Sequence, residues 1–470
     1  MIGDSRQGNF DMTTPTKDID ENAPRISGKT ELVEWVEKGC KPKADWRIGT
    51  EHEKFGFLKE GLRPVPYEGK SSVRAMLEGL RDQFGWEGIE EKGNVVGLKK
   101  DGASVSLEPG GQFELSGAPL EHIHQTCNEV HKHLDEVRAI ADPLGIAFLG
   151  LGFSPLWSLE ETPMMPKGRY NIMKNYMPKV GRLGHQMMFR SCTVQVNLDF
   201  SSEADMLKKM RVALALQPVG TALFANSPFA EGRTNGFLSY RGHVWSDTDP
   251  DRTGMMPFMF EEGSGFERYV DYALDVPMYF VRRKGTYLDC AGKSFRDFMN
   301  GKLDVIPGDR PTIEDWEDHL STLFPEVRLK RFLEMRGSDS GPWANLCAMP
   351  AFWVGLLYDD AALDEAWQLV KDWTPAHREA MRRSAPALAL NAAAPGGRLL
   401  RDIAREALKI ARKGLKSRAK LGQAGDDESG FLSRLDEIVD TGIVPAQRLL
   451  NLYHGDWNKS VLPVFEDMAY

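Results

Sequence analysis

The segment Arg47-Ile48-Gly49-Thr50-Glu51-His52-Glu53-Lys54-Phe55-Gly56-Phe57 carries two glutamates two residues apart. Side chains in a β-strand repeat every two residues, so a strand here points Glu51 and Glu53 from one face. Carboxylates side by side repel unless a cation neutralises them. A second acidic stretch, Leu107 to Leu115, puts Glu108 and Glu114 at shared parity, provided Pro109-Gly110-Gly111 leaves the register unshifted. Four glutamates converging from neighbouring strands make a hard, oxygen-only donor set, of the kind Mg²⁺ takes when phosphates complete its shell. The run Arg328 to Gly337, read as one strand, lines up Arg328, Lys330, Glu334 and Arg336 on one face. That alternation fits an ordinary ion-pair ladder. If the face meets the glutamates, Glu334 becomes a further metal ligand and Arg336 a phosphate clamp.

Three other segments carry chemistry. In Ser191 to Phe200, Thr193, Gln195, Asn197 and Asp199 alternate with Cys192, Val194, Val196, Leu198 and Phe200. A surface strand shows the same alternation, but two amides at successive face positions are unusual in strands and favour a ligand-facing role. Asn235 to Gly254 is long, polar and irregular, yet contains Tyr240, Arg241, Trp245 and Arg252; loops of this composition on a rigid scaffold are sites of recognition. Pro163 to Tyr170 is a proline-bracketed basic turn whose Lys167 and Arg169 could close over phosphates. No Walker A pattern, dinucleotide fingerprint or G-x-S-x-G nucleophile motif occurs. An acidic cage with arginine clamps points to nucleotide-dependent chemistry of the glutamine synthetase type: metal-bridged phosphates, an acyl phosphate and its displacement by a nucleophile.

The chain has 470 residues, 41% of them hydrophobic, and a formal net charge of −9. It can bury a large core. The charge balance gives no basic face for nucleic acid or a membrane surface, and no apolar run reaches the roughly 18–20 residues of a membrane span. The first twenty residues lack the marks of a signal or transit peptide. Five scattered cysteines form no CxxC pair, so a zinc site is not expected. A soluble cytoplasmic enzyme is the default expectation.

The elements that must position these residues follow from periodicity. Residues 1–26 read as a flexible arm. Thr30 can cap a short helix through Val36, and residues 47–58 form the first strong strand. Ser71 or Ser72 caps a helix carrying Val73, Met76, Leu77 and Leu80, and residues 94–115 read as strands with turns at Lys100-Asp101-Gly102 and Pro109-Gly110-Gly111. Pro119 opens a long helix to about Leu144 with a core stripe of Ile123, Cys127, Val130, Leu134 and Val137. Its histidines, His122, His124, His131 and His133, read as solvated. Residues 146–153 form a buried strand. From about Asp359 the chain turns helical, giving a catalytic core over 27–358 and a C-terminal helical region over 359–470. Without regular βαβ alternation, the expected class is α+β: a curved, largely antiparallel sheet with surrounding helices.

Arg47–Phe57 (RIGTEHEKFGF), Glu108–Leu120 (EPGGQFELSGAPL), Pro166–Lys179 (PKGRYNIMKNYMPK), Thr193–Asp205 (TVQVNLDFSSEAD), Phe224–Pro228 (FANSP), Asp247–Gly254 (DTDPDRTG), Phe324–Gly337 (FPEVRLKRFLEMRG) and Pro350–Tyr358 (PAFWVGLLY) resemble the plant-type glutamate–cysteine ligases, a group also found in proteobacteria. The resemblance runs from about residue 25 to the end. It implies a glutamine synthetase/guanido kinase-like core that makes γ-glutamylcysteine from L-glutamate, L-cysteine and ATP with Mg²⁺, as a monomer or homodimer. By this likeness Glu51, Glu53, Glu108, Glu114 and Glu334 are metal ligands, and Gln195 and Asn197 line the floor near metal and substrate. Arg241, Trp245 and Arg252 hold the glutamate α-carboxylate, while Arg336 and Lys54 face the transferring phosphoryl group. The resemblance also implies that Cys127 and Cys347 match one regulatory disulfide pair. Cys290 matches one member of another pair whose partner, near residues 303–307, is missing. A reducing cytoplasm would oppose such bonds, and the absent transit peptide points to a bacterial source. Two other functions stay open from the residues: a glutamate–amine ligase with another acceptor, and a non-catalytic sensor of glutamate or glutathione. Five carboxylates held together against their repulsion disfavour the sensor.

Overall fold

A computed structural model describes residues 23–470. Most of the expected arm, residues 1–22, lies outside the described residues. Of its last residues, Arg25 pairs with Asp309 at 2.9 Å and Ile26 is fully buried, donating its N–H to Pro311 O.

The frame is an antiparallel sheet of nine strands among the described residues. In chain order these are β1 (Ile48–Leu58), β2 (Glu87–Glu91), β3 (Asn94–Lys100), β4 (Ala103–Leu107), β5 (Phe113–Ser116), β6 (Ile146–Leu149), β7 (Thr193–Leu198), β8 (Val327–Leu329) and β9 (Leu333–Asp339). Their spatial order is β8-β9-β7-β1-β5-β4-β3-β2. The long strand β1 is central. Its first half pairs with β5 on one side and β7 on the other, and its second half turns to β6. The expected α+β class is what the chain adopts.

Around the sheet lie α1 (Lys29–Glu37), α2 (Val73–Phe84), α3 (Ile123–Ala141), α4 (Gly168–Tyr176), α5 (Glu203–Leu223), α6 (Tyr240–Val244), α7 (Trp343–Leu357), α8 (Pro375–Leu388) and α9 (Leu400–Arg418). Ser72 caps α2 by accepting from Ala75 N, and Ser202 caps α5 by accepting from Asp205 N. Gly28, not Thr30, precedes α1. Helix α3 begins later than Pro119 because His122 closes a capping box with Gln125. The solvated reading of the α3 histidines fails at His133, which is buried.

Composition explains the layering. Val194, Val196 and Leu198 on the back of β7 meet Ile123, Val130 and Leu134 of α3 and Leu346 and Val354 of α7 in the largest core. Each such side chain contributes roughly 1.5–3 kcal/mol by leaving water. The expected pair Cys127–Cys347 is a disulfide joining α3 to α7, with Cα atoms 5.6 Å apart, and Cys290 is a buried free thiol. The helices beyond residue 358 share the same core: Ile403, Ala407 and Ala411 of α9 pack with α7. Their backbones approach closely. A Cβ added at Gly414 would lie 1.9 Å from Gly355 O, and one at Gly355 would lie 2.3 Å from Ala411 O. Gly414→Ala should therefore force the two helices apart and cost about 1–3 kcal/mol, read as a lowered urea denaturation midpoint; an unchanged midpoint would show that the helices yield freely.

Candidate active site

Antiparallel register assembles one polar face across five strands. Glu53 lies opposite Glu114 between β1 and β5, and Ser106 of β4 lies opposite Glu114 on its other side. Glu51 lies opposite Gln195 of β7, and Asn197 of β7 lies opposite Glu334 of β9. Glu108 sits just past β4, in the tight turn where its N–H donates to Gln112 O and its carbonyl accepts from Gly111 N. Gly111 there has a φ of +84°, a conformation few side chains tolerate, and a Cβ at Gly110 would strike Phe189 O at 2.2 Å. The two glycines let the hairpin fold flat, so Glu108 and Glu114 approach from different strands. The run 328–337 is likewise a hairpin, not one strand: β8 and β9 set Arg328 directly opposite Glu334.

Four of the carboxylates have protein donors. Gln195 Nε2 and Asn197 Nδ2 each donate to Glu51 at 2.9 Å. Thr193 N donates to Glu53 at 3.0 Å, and Ser106 Oγ to Glu114 at 2.8 Å. Arg328 grips Glu334 through Nε at 2.9 Å and Nη2 at 2.8 Å, and Arg336 Nη1 bonds the same carboxylate. The electrostatics divide accordingly. Burial, then the charges of Glu334 and Glu114, push the Glu51 carboxyl up to about 8. Burial and neighbouring carboxylates also push Glu53 well above the usual range and raise Glu114. Burial would raise Glu334 too, but Arg328, Arg336 and Lys330 overcome it and hold that carboxyl near 2.

This donor set fits a hard divalent cation. Three buried carboxylates are short of positive charge, and the amide oxygens of Gln195 and Asn197 are buried with no hydrogen-bond partner among the described residues. Among the described residues no three His, Cys, Asp or Glu side chains already converge closely enough to hold an ion. Arg336 bonds the Glu334 carboxylate.

Beside the acidic face lies a cleft lined by Thr221, Arg241, Trp245, Phe324, Glu326, Arg336 and Arg382. Helix α6 delivers Arg241 to it, with Trp245 in the turn that follows. The helix is anchored by a buried carboxylate: Asp339 of β9 accepts from Asn226 N at 2.8 Å, Ser227 Oγ at 2.6 Å and Ser239 Oγ at 2.8 Å. Ser239 Oγ in turn caps α6 at Gly242 N, and Ser227 Oγ accepts from Arg241 N. Arg241 Nη2 donates to Arg336 O at 2.9 Å, and its buried Nε has no partner among the described residues. Lys167 Nζ donates to Leu107 O at 2.9 Å; burial, then Arg169, lower its amine to about 8. The buried Arg169 Nε is without a partner among the described residues.

Two expected site residues stand elsewhere. Lys54 has the opposite parity to Glu51 and Glu53, so it points to the back of β1, where Nζ lies 2.9 Å from His133 Nε2 and donates to Phe113 O at 3.3 Å. It cannot face a phosphoryl group on the front. Arg252 is fully buried and already spent on protein acceptors: Asp249 at 2.6 Å, Thr322 O at 3.0 Å and Pro277 O at 2.8 Å, with Tyr279 stacked 3.9 Å away. It cannot take a substrate carboxylate. Sequence reading missed Thr221, Glu326, Asp339 and Arg382. Glu326 shares the parity of Arg328 and Glu334 and could have been found by it; Asp339 has the opposite parity and reaches the same side only through the register shift between Met335 and Ser338, while Arg382 belongs to a helix of ordinary composition and carried no signal.

Residues 47–466 match the model of glutamate–cysteine ligase family 2. The chain belongs to that family. The chloroplastic glutamate–cysteine ligase of Nicotiana tabacum is 58% identical over 456 residues, covering 97% of this chain and 85% of the relative. That of Arabidopsis thaliana is 57% identical over 442 residues, covering 94% and 83%. A crystal structure of glutamate–cysteine ligase from Francisella tularensis in complex with AMP superposes with a TM-score of 0.55 at 13% identity, covering 87% of this chain and 85% of that one, and shares the fold. The protein is thus an enzyme of the glutamate–cysteine ligase type. These relatives are chloroplastic enzymes, which overturns the cytoplasmic expectation.

An acid whose pKa is raised on folding destabilises the fold increasingly as pH rises from its unfolded value through its folded one. For Glu51 that window runs from 4.5 to about 8. The chelator-treated protein should therefore lose stability between pH 5 and pH 8, on the order of a few kcal/mol, and Glu51→Gln should flatten the slope. Urea titrations across that range check it; equal slopes for the two proteins would reject the assigned burden.

Proposed function

We propose that this protein joins the γ-carboxylate of L-glutamate to the amine of L-cysteine with ATP, through γ-glutamyl phosphate, and that Mg²⁺ held by Glu51, Glu53, Glu108, Glu114 and Glu334 assists. The observation that carries this reading is the contiguity of the acidic face with the arginine-lined cleft, joined by Arg336, which touches both. Bound there, the cation would neutralise charge on the phosphates and the attacking carboxylate, which otherwise repel.

The chain's own residues do the rest. Arg241 and Trp245 hold the α-carboxylate end of glutamate in the cleft. That orients its γ-carboxylate toward the acidic face, where Arg336 stabilises charge on the phosphoryl group in transfer. Lys167 and Arg169 bind the nucleotide phosphates from the β4–β5 side. Gln195 and Asn197 fix Glu51 and offer their amide oxygens to the site. The γ-carboxylate oxygen attacks the γ-phosphorus of ATP and releases ADP; the cysteine amine then attacks the acyl carbon, and phosphate departs. Positioning and charge neutralisation supply the catalysis, without a covalent enzyme nucleophile.

Mg²⁺-dependent ADP release should require both L-glutamate and L-cysteine, with mass spectrometry identifying γ-glutamylcysteine. Glu51→Gln should lower kcat by at least roughly 100-fold, as loss of a group stabilising transferring charge does. Glutamate-dependent turnover indifferent to cysteine would overturn the acceptor, and full activity in Glu51→Gln would overturn the cage.

A further inference from the structure

Among the described residues, Glu326 is the one acid lining a cleft that three arginines share. It follows the short strand Phe324–Pro325 and sits two residues before Arg328. Its backbone is pinned on both sides: its carbonyl accepts from Gln217 Nε2 at 2.8 Å and from Arg336 N at 3.2 Å. Its side chain lies over Gly337, where a Cβ would come within 2.9 Å of Oε2; the glycine makes room for this carboxylate. Arg241, Arg336 and Arg382 all act on it electrostatically, yet among the described residues no ion pair within 4.0 Å and no hydrogen bond reaches it. Burial pushes its carboxyl up, and the three arginines pull it back. Arg382 is held instead by Glu379, through two 2.9 Å bonds. A partly buried carboxylate that shares a cleft with guanidiniums it does not bond is matched by a zwitterion, which brings a cation to the acid and a carboxylate to the arginines.

We infer that Glu326 is the receptor for the α-ammonium of the γ-carboxylate donor, across the cleft from Arg241, which takes its α-carboxylate. The inference rests on the assignment of the cleft to glutamate. Donor and acceptor are both α-amino acids, and chemistry separates them. The acceptor's amine is the nucleophile, so a carboxylate clamping it as an ammonium would oppose attack. The donor's α-ammonium takes no part in the reaction, so it can be held throughout. Held there, with the α-carboxylate on Arg241, the α-carbon is fixed at two points and only the γ-carboxylate is left to reach the acidic face. Glu326 would therefore choose the carboxylate that reacts as well as the amino acid that binds.

The test compares L-glutamate with glutarate, which keeps both terminal carboxylates and lacks the ammonium. In the wild-type enzyme kcat/KM should favour L-glutamate. In Glu326→Gln that preference should shrink by roughly 10- to 100-fold, the range for a hydrogen bond to a charged group, with a higher KM for L-glutamate and an unchanged KM for L-cysteine. Glu326→Asp, which keeps the charge, should retain part of the preference. An unchanged preference, or a fall in kcat alone with altered cysteine dependence, would overturn the proposal and mark Glu326 as a base for the acceptor amine. If Glu326→Gln does not fold, Glu326→Asp decides on the same two KM values. A wild-type protein that turns over no glutamate would instead fail the ligase assignment itself, and this inference with it.

Discussion

Carboxylates taken out of water repel one another, and this enzyme gathers several on one sheet face. Glu51, Glu53 and Glu114 are each buried to a few per cent exposure or less than a tenth, and each is pushed toward the protonated form. Glu334 escapes only because Arg328, Arg336 and Lys330 surround it. The sheet therefore carries a standing deficit of positive charge on one side and a satisfied ion pair on the other. Strand register fixes that imbalance in place, since moving any strand by one residue would send its acids into the apolar layer. The strained electrostatics and the well-packed core are two sides of the same strands.

The back of β1 shows how far one strand can serve two purposes. Glu51 and Glu53 face the site; His52 and Lys54, between and beyond them, are buried against α3, where His133 lies against Lys54. Burial lowers the Lys54 amine to about 7, so the rear of the strand adds little fixed charge to balance the front. The cleft is built similarly from parts far apart in sequence. Its arginines come from α6, β9 and α8, and Asp339, two residues beyond the cleft-lining Gly337, ties the first of these to the second.

Much of this was legible in the chain. Parity alone put Glu51 with Glu53, and Gln195 with Asn197, on their correct faces, and glycine and proline marked the turn that folds Glu108 toward Glu114. Lys54 has the opposite parity to Glu51 and Glu53, a pattern the family likeness passed over in assigning it to the phosphoryl group, and the structure follows the pattern. Arg252 misled for another reason. A polar, irregular loop advertises recognition, but an arginine within it can as well be the bolt that closes the loop, and only its three protein acceptors distinguish the two. Arg382 was invisible because nothing local records that α8 returns to the cleft.

The register between β7 and β9 slips once, between Met335 and Ser338, so that Arg336 and Gly337 together stand opposite Gln195. Glu334 and Asp339 are five residues apart, an odd spacing that would send them to opposite faces of an unbroken strand. The extra residue restores them to the same side: Glu334 beside Asn197, and Asp339 beside Thr193. The segment between them therefore works as a ruler whose length matters more than its lettering. Side chains along it can be exchanged at a local cost, whereas removing a single residue would turn the Asp339 anchor of α6 to the wrong side of the sheet.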